Sequence, residues 1–218
     1  MYYFDKIGKY RILKSTLLQD INAFFTTRDG FDFNLISSKR IITPNQTHSG
    51  NVQLVDERIE YPETDGLIIS SKNDLVYLRF ADCTPLIFYD RKHKISAISH
   101  AGWKGTFKKI ALNTIDKMHS YFKTSPENLI VLIGPAISGC CYEVGQEVKD
   151  NLLSTVKNSD GLYKGNFVDL KKINERQLRE AGVVDIDICP YCTSCNNNLF
   201  FSYRKENGTK ERHYAVVA

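Results

Sequence analysis

The sequence predicts an α+β fold built on mixed β-sheet. Three observations carry this reading: β-type runs outnumber amphipathic helices, several runs follow one another directly, and turn formers bound each of them. A strictly alternating parallel sheet would need a crossover between successive strands. No repeat, low-complexity tract or Gly/Ser/Pro-rich linker interrupts the pattern, so one domain is expected over residues 1–218.

The expected strands are Ala23–Arg28, Gly66–Ser70, Leu75–Phe80, Pro85–Tyr89 and Ile95–Ser99, then Leu129–Ile133, Val183–Ile188, Leu199–Tyr203 and Tyr214–Val217. Each is short and rich in β-branched or aromatic residues. Three helices stand out by period. Between Lys104 and Phe122, Phe107, Ile110, Ala111, Ile115, Met118 and Phe122 share one stripe. Between Val144 and Val156, Val144, Val148, Leu152 and Val156 recur every fourth residue. Between Asp169 and Ala181, Leu170, Ile173, Leu178 and Ala181 form an apolar face, with Asp169 as N-cap and Gly182 as the stop.

The 218 residues, 42% of them hydrophobic, suffice for a buried core, and twelve Phe with twelve Tyr exclude a disordered chain. A formal charge of +4, spread among mixed signs, argues against nucleic acid as the partner. No apolar stretch approaches the roughly 18 residues of a membrane span, and Met1–Lys6 lacks a signal-peptide pattern. The expected compartment is the cytoplasm, where six cysteines are thiols, metal ligands or nucleophiles before they are disulfides.

Four segments can carry chemistry. In Ile95–Thr106 a strand runs through Gly102 into a helix, placing His100 just before a helix N-terminus, although a plain turn explains the same pattern. In Leu78–Pro85, Asp82 and Cys83 stand at a chain break, where Cys83 is a thiolate nucleophile, a metal ligand or a small core residue. Thr43–Gly50 offers one imidazole, His48. His48, Cys83 and His100 together would suit Zn²⁺ with one position left open, but their separations along the chain are too long for spacing to join them. The fourth segment, Cys189–Cys195, reads C-x-x-C-x-x-C. A metal there needs a further ligand from Cys140, Cys141 or His213; free thiols or redox pairing are the alternatives.

The blocks Phe25-Thr26-Thr27-Arg28-Asp29-Gly30 with Asn34-Leu35, Gln46-Thr47-His48-Ser49-Gly50, Ala81-Asp82-Cys83-Thr84-Pro85 and Ser99-His100-Ala101-Gly102-Trp103-Lys104-Gly105 resemble the YfiH family. The similarity continues through Ile133–Ile137, Tyr142–Gly145, Asp169-Leu170, Cys192-Thr193 and Phe200-Phe201-Ser202-Tyr203-Arg204, in family order over nearly the whole chain. That family has been labelled both laccase-like polyphenol oxidase and zinc-containing purine nucleoside phosphorylase. The resemblance implies a sandwich of mixed sheets with flanking helices, related to a toxin domain with a Cys–His hydrolase pair. It implies that His48, Cys83 and His100 are the metal ligands, for one zinc ion with copper as the other option. It also implies phosphorolysis of adenosine, inosine and S-methyl-5′-thioadenosine, with deamination of adenosine.

Purine nucleosides and phosphate would then be the partners, with Arg204, Arg28 and Asn34 as candidate substrate-binding residues. Arg204 suits phosphate because a guanidinium matches its oxygens in pairs. Asp82, beside the Cys ligand, is a candidate orienting group or proton carrier. Three departures from the family bear on substrate: few residues separate Asn34-Leu35 from Gln46, which trims the expected pocket rim there; Lys205 stands where the family usually has a second arginine; and Lys210-Glu211-Arg212-His213 replaces the usual Gly-Arg. A copper oxidase and a metal-free hydrolase using Cys83 and His100 are the rival activities. The chain as monomer or homodimer is left open.

Overall fold

The computed structural model describes residues 1–19, 21–37 and 40–218. The chain opens with a hairpin of β1 (Tyr2–Ile7) and β2 (Tyr10–Ser15), followed by β3 (Ala23–Thr26). Two short strands, β4 (Arg40–Ile42) and β5 (Val52–Leu54), precede β6 (Gly66–Ile69), β7 (Asp74–Phe80), β8 (Thr84–Asp90) and β9 (Ile95–Ala101). Helices α1 (Trp103–Phe107) and α2 (Ile110–Phe122) lead to β10 (Leu129–Ile133) and α3 (Gln146–Leu153). A small ribbon of β11 (Tyr163–Lys164) and β12 (Phe167–Val168) comes next, then α4 (Leu170–Glu180), β13 (Asp185–Ile188) and β14 (His213–Val217).

Two six-stranded mixed sheets form the body, in orders β1-β2-β3-β14-β7-β4 and β13-β10-β8-β9-β6-β5. Each is antiparallel except at its edges, where β4 joins β7, β5 joins β6 and β13 joins β10 in parallel. The sheets bury their facing sides against each other. Phe25, Val76, Leu78, Phe80 and Ala215 of the first meet Leu67, Ile69, Ile87, Ile98 and Leu132 of the second. The second sheet is apolar on both faces, as Leu67 and Ile69 alternate with Ile68, and its outer side takes α2 through Ile110, Ala111, Ile115 and Met118. The architecture is α+β with helices on one side of a two-sheet sandwich. Among the described residues, no helix is long and apolar enough to cross a membrane.

Three expectations are corrected, and one hairpin is added. The stretch Lys104–Phe122 is two helices, because Lys109 adopts φ +55° and turns the axis between α1 and α2. Leu199–Tyr203 is not a strand. Its apolar residues are buried by a turning loop, in which the Asn196 carbonyl accepts the Leu199 and Phe200 amides at 2.9 and 3.1 Å, while Phe200 fills the space between the sheets. The helix read over Val144–Val156 is confined to Gln146–Leu153. Finally, the β1–β2 hairpin was not expected, although its two-residue turn places Gly8 at φ +57°. The Asp169 cap holds: its carboxylate accepts the Lys172 amide at 3.2 Å.

His213 is fully buried between the sheets, against the rings of Phe200 and Phe80. Among the described residues, neither ring nitrogen has a hydrogen-bond partner of good geometry. Burial, reinforced by Arg212 and Arg28 and opposed by the Pro135 carbonyl, pushes its pKa down to about 3. The unfolded chain takes up this proton near pH 6.5, the ordinary histidine value, while the folded chain resists it. Stability from His213 is therefore complete above about pH 6.5 and declines as pH falls from there toward 3. Urea unfolding at pH 7 and pH 5 is expected to show this loss in the parent and a clearly smaller one in His213→Phe. Equal losses in both would contradict it.

Candidate metal centre and cleft

Register brings Cys83 and His100 together. Strands β8 and β9 pair Thr84 with Ala101 and Pro85 with His100, so Cys83, one residue before β8, lies beside the end of β9. His48 reaches the same point from the loop between β4 and β5 at φ +59°, a conformation uncommon for a residue with a side chain. One ligand atom from each of His48, Cys83 and His100 falls within 4.8 Å of the others. The space between them admits no Cβ at Gly102, where one would stand 2.8 Å from Cys83 Sγ and 3.1 Å from His48 Cδ2. That close approach explains the glycine in His-Ala-Gly-Trp.

Both histidines are held by one carboxylate. Asp65, fully buried at the start of β6, meets His100 Nδ1 at 2.8 Å. Its two oxygens also accept the amides of Thr47, His48 and Ser49 at 3.0, 3.1 and 2.7 Å, and the Ser49 hydroxyl at 2.8 Å. Burial alone would raise this carboxyl, but the His100 ring and the Ser49 donors hold it down to about 2. With Nδ1 committed to Asp65, His100 presents Nε2 to the Cys83 side. Burial opposes charge on both Cys83 and His100, yet His100 and His48 hold the thiol down to about 6, and Cys83 and Asp65 in turn lift His100 up to about 9. One thiolate and two imidazoles with an oriented ring fit a tetrahedral zinc that keeps one position open.

The three donors line a cleft of about 1020 Å³, large enough for a nucleoside and an anion together. Arg79, Lys104, Arg204 and Arg212 give its wall a cationic side, and Tyr61, Trp103, Tyr142 and Tyr203 supply aromatic surface. Asp82 also lines it, at φ +80°. Its carboxylate accepts Thr193 Oγ1 at 2.6 Å and the Arg204 amide at 2.7 Å, so its oxygens are engaged in positioning the neighbouring loop. The Arg204 guanidinium lies over the Tyr142 ring and donates to the Glu143 carbonyl at 3.0 Å.

Arg28 and Asn34 do not line this cleft. Arg28 pairs with Glu206 at 2.8 Å and packs on Phe201, which fixes the Phe200–Glu206 loop from behind. Asn34 is exposed and its amide groups bond Asp32 in a short 3₁₀ turn. Sequence reasoning missed Asp65, Arg79 and the placement of Arg212. The one signal for Asp65 was an acid directly before the glycine that opens an apolar strand.

Asp65→Asn is expected to keep the fold while weakening zinc binding about 10- to 100-fold, because the amide no longer enforces the His100 tautomer. The check is the zinc concentration that half-protects the Cys83 peptide against alkylation. An unchanged concentration would contradict the role assigned to Asp65.

Comparison with known proteins gives a consistent picture. The family model described as multi-copper polyphenol oxidoreductase laccase matches residues 27–218. A purine nucleoside phosphorylase of Clostridium acetobutylicum is 32% identical over 97% of this chain and 93% of its own length. The purine nucleoside phosphorylase YlmD of Bacillus subtilis is 34% identical over 79% of this chain and 68% of its own. Among solved structures, the hypothetical protein YfiH of Bacillus licheniformis superposes with a TM-score of 0.91 at 26% identity, covering 99% of this chain and 98% of that one. YlmD of Geobacillus stearothermophilus gives 0.90 at 27%, with the same coverage. Sequence and fold agree, and the chain belongs to the YfiH family, whose model is described as multi-copper polyphenol oxidoreductase laccase.

Proposed function

We propose that the chain is a purine nucleoside phosphorylase acting on adenosine, inosine and S-methyl-5′-thioadenosine, and that it also deaminates adenosine. The observation that carries this reading is the convergence of His48, Cys83 and His100 on a cleft walled by four cations and four aromatic rings. The names of relatives that align over nearly the whole chain support the same reaction. Zinc on His48, Cys83 and His100 would supply Lewis-acid stabilisation of negative charge developing at its open position.

The chain's own residues meet the remaining demands. Phosphorolysis adds phosphate to C1′ of the ribose and releases the base, through a sugar with oxocarbenium character. Arg204 offers its guanidinium to phosphate from a backbone fixed by Asp82, with Arg79, Lys104 and Arg212 adding positive charge on the same wall. Trp103 and Tyr142 provide faces for a purine. Burial, with the Cys83 charge nearby, raises the Tyr142 phenol, so it stays protonated and keeps an O–H for hydrogen bonding. Asp82 serves as a positioning residue in this scheme, since both its oxygens already accept hydrogen bonds. Deamination replaces the C6 amino group by oxygen from water, releasing ammonia, and needs no phosphate.

A metal-free hydrolase is the second reading, favoured by the adjacency of Cys83 and His100, each of which moves the other toward its charged form. A multicopper oxidase fits less well. Such enzymes use several histidine-rich centres, whereas the chain has five histidines and, among the described residues, one group of candidate metal ligands that contains any.

The test is incubation of metal-analysed protein with adenosine, with and without phosphate. Adenine is expected only with phosphate; inosine is expected without phosphate, and with phosphate as inosine or the hypoxanthine its phosphorolysis releases. Cys83→Ala is expected to lose both products, and Arg204→Ala to raise the KM for phosphate at least tenfold. Neither product from the zinc-loaded parent would overturn the nucleoside reading, and activity surviving in metal-stripped protein would favour the hydrolase. An unchanged phosphate KM in Arg204→Ala would remove the anion role of Arg204.

A further inference from the structure

A second group of thiols lies apart from His48, Cys83 and His100. The sulfurs of Cys140, Cys141, Cys192 and Cys195 all fall within 4.8 Å of one another. Cys140 and Cys141 are 3.6 Å apart, and Cys195 stands 3.6 Å from the first and 3.4 Å from the second. Four thiolates placed tetrahedrally on one zinc, with Zn–S distances of about 2.3 Å, stand about 3.8 Å from one another. A disulfide would draw two sulfurs to about 2.05 Å. The distances among Cys140, Cys141 and Cys195 are those of ligands around a single ion, with Cys192 Sγ within 4.8 Å of each. A polynuclear iron–sulfur cluster, with its cysteines on different irons, would need them spread wider.

The fold delivers these residues to one point by regular means. Strands β10 and β13 are parallel neighbours, with Ile133 level with Ile188, so both chains leave the sheet at the same end. Just beyond, Ala136 and Cys192 form a further parallel bridge, and the Thr193 amide donates to the Ala136 carbonyl at 3.1 Å. Each chain then turns tightly. The Ser138 carbonyl accepts the Cys141 and Tyr142 amides at 2.9 and 3.0 Å, and the Cys192 carbonyl accepts the Asn196 amide at 2.8 Å. The Ser138 amide also donates to Cys192 Sγ at 3.4 Å, tying one turn to a sulfur of the other. Cys192 and Cys195 have the C-x-x-C spacing of a zinc half-site. Cys189 belongs elsewhere: it is fully buried in the core between the sheets. His213, the other ligand weighed for this site, is buried against Phe80 and Phe200.

We propose that Cys140, Cys141, Cys192 and Cys195 form a second metal site that holds one zinc ion as a tetrathiolate. Zn²⁺ displaces the four thiol protons to solvent, and the step needs no oxidant or reductant. Cys140 and Cys195 are exposed, so the ion enters from the surface, while Cys192 is buried beneath it. Four protein ligands leave no open position, which makes the site structural. Its position gives it a purpose: Tyr142 follows Cys141 directly, and Thr193, next to Cys192, holds the carboxylate of Asp82. The ion cross-links the two loops that carry this wall of the cleft.

The test counts zinc by native mass spectrometry, so it does not depend on which reaction the cleft performs. Zinc-loaded parent is expected to carry two ions per chain. Cys83→Ala is expected to carry one, and adding Cys140→Ser with Cys195→Ser to remove it. Cobalt substituted into Cys83→Ala should give the intense sulfur-to-metal absorption of a tetrathiolate. No ion in Cys83→Ala would overturn the proposal, as would a chain mass lowered by two hydrogens for each disulfide among these four residues. Should the triple variant fail to fold, Cys83→Ala alone decides, by its zinc count and cobalt spectrum.

Discussion

The Asp65 carboxylate, buried and held ionised between the sheet and the loop that carries His48, is the interaction on which the proposed metal centre depends. An isolated charge in that position would be costly, and it persists because every donor around it is used. Three successive amides, one hydroxyl and one imidazole converge on its two oxygens. The backbone of the same residue is engaged as well, since its carbonyl accepts the His100 amide at 2.7 Å. Asp65 thus fixes His100 through main chain and side chain together, and fixes His48 through the turn that bears it. Two ligands far apart in sequence become a single rigid unit. The neighbouring Gly66 completes the packing, because a Cβ there would meet Ser99 Oγ at 2.8 Å and Val52 Cγ2 at 2.9 Å.

The third ligand is placed by a different device. Cys83 follows Asp82, whose φ of +80° turns the chain sharply out of β7 and into β8. Non-glycine residues adopt such a conformation only where surrounding bonds compensate. Here Thr193 and the Arg204 amide hold the Asp82 side chain, and the Ile137 amide holds its carbonyl at 2.9 Å. The loops after β10 and β13 and the loop bearing Arg204 therefore meet at the residue that aims Cys83. Strain at His48 and Asp82 sits beside the reactive groups, and the compensating hydrogen bonds come from segments remote in sequence.

Much of this was legible before the fold was known, and the exceptions have physical reasons. The apolar strands β6, β8, β9 and β10 were readable because burial on both faces makes them continuous runs of β-type residues. The Asp169 cap and the Gly182 stop were readable because both are local rules. Leu199–Tyr203 misled because Phe200 and Phe201 are buried by a loop crossing the sandwich, and composition cannot separate that from a strand. The break at Lys109 left no mark, since the apolar stripe continues on both sides of it. At the site, His48, Cys83 and His100 entered through family resemblance, because register rather than spacing unites them. Asp65 lay outside every motif, and its role is visible only once the turn around it is folded. Arg28 shows the converse. It sits in a family block yet braces the Arg204 loop through Glu206 instead of facing the cleft.

Asp65 and the β8–β9 register together bring His48, Cys83 and His100 into the one group proposed to hold the catalytic metal. Anomalous diffraction at the zinc edge, on crystals of the zinc-loaded protein, tests this most directly. The expected result is a peak bonded to Cys83 Sγ, His100 Nε2 and a ring nitrogen of His48, with His100 Nδ1 still on Asp65. A His100 ring turned to ligate through Nδ1, or no peak among these three residues, would contradict it.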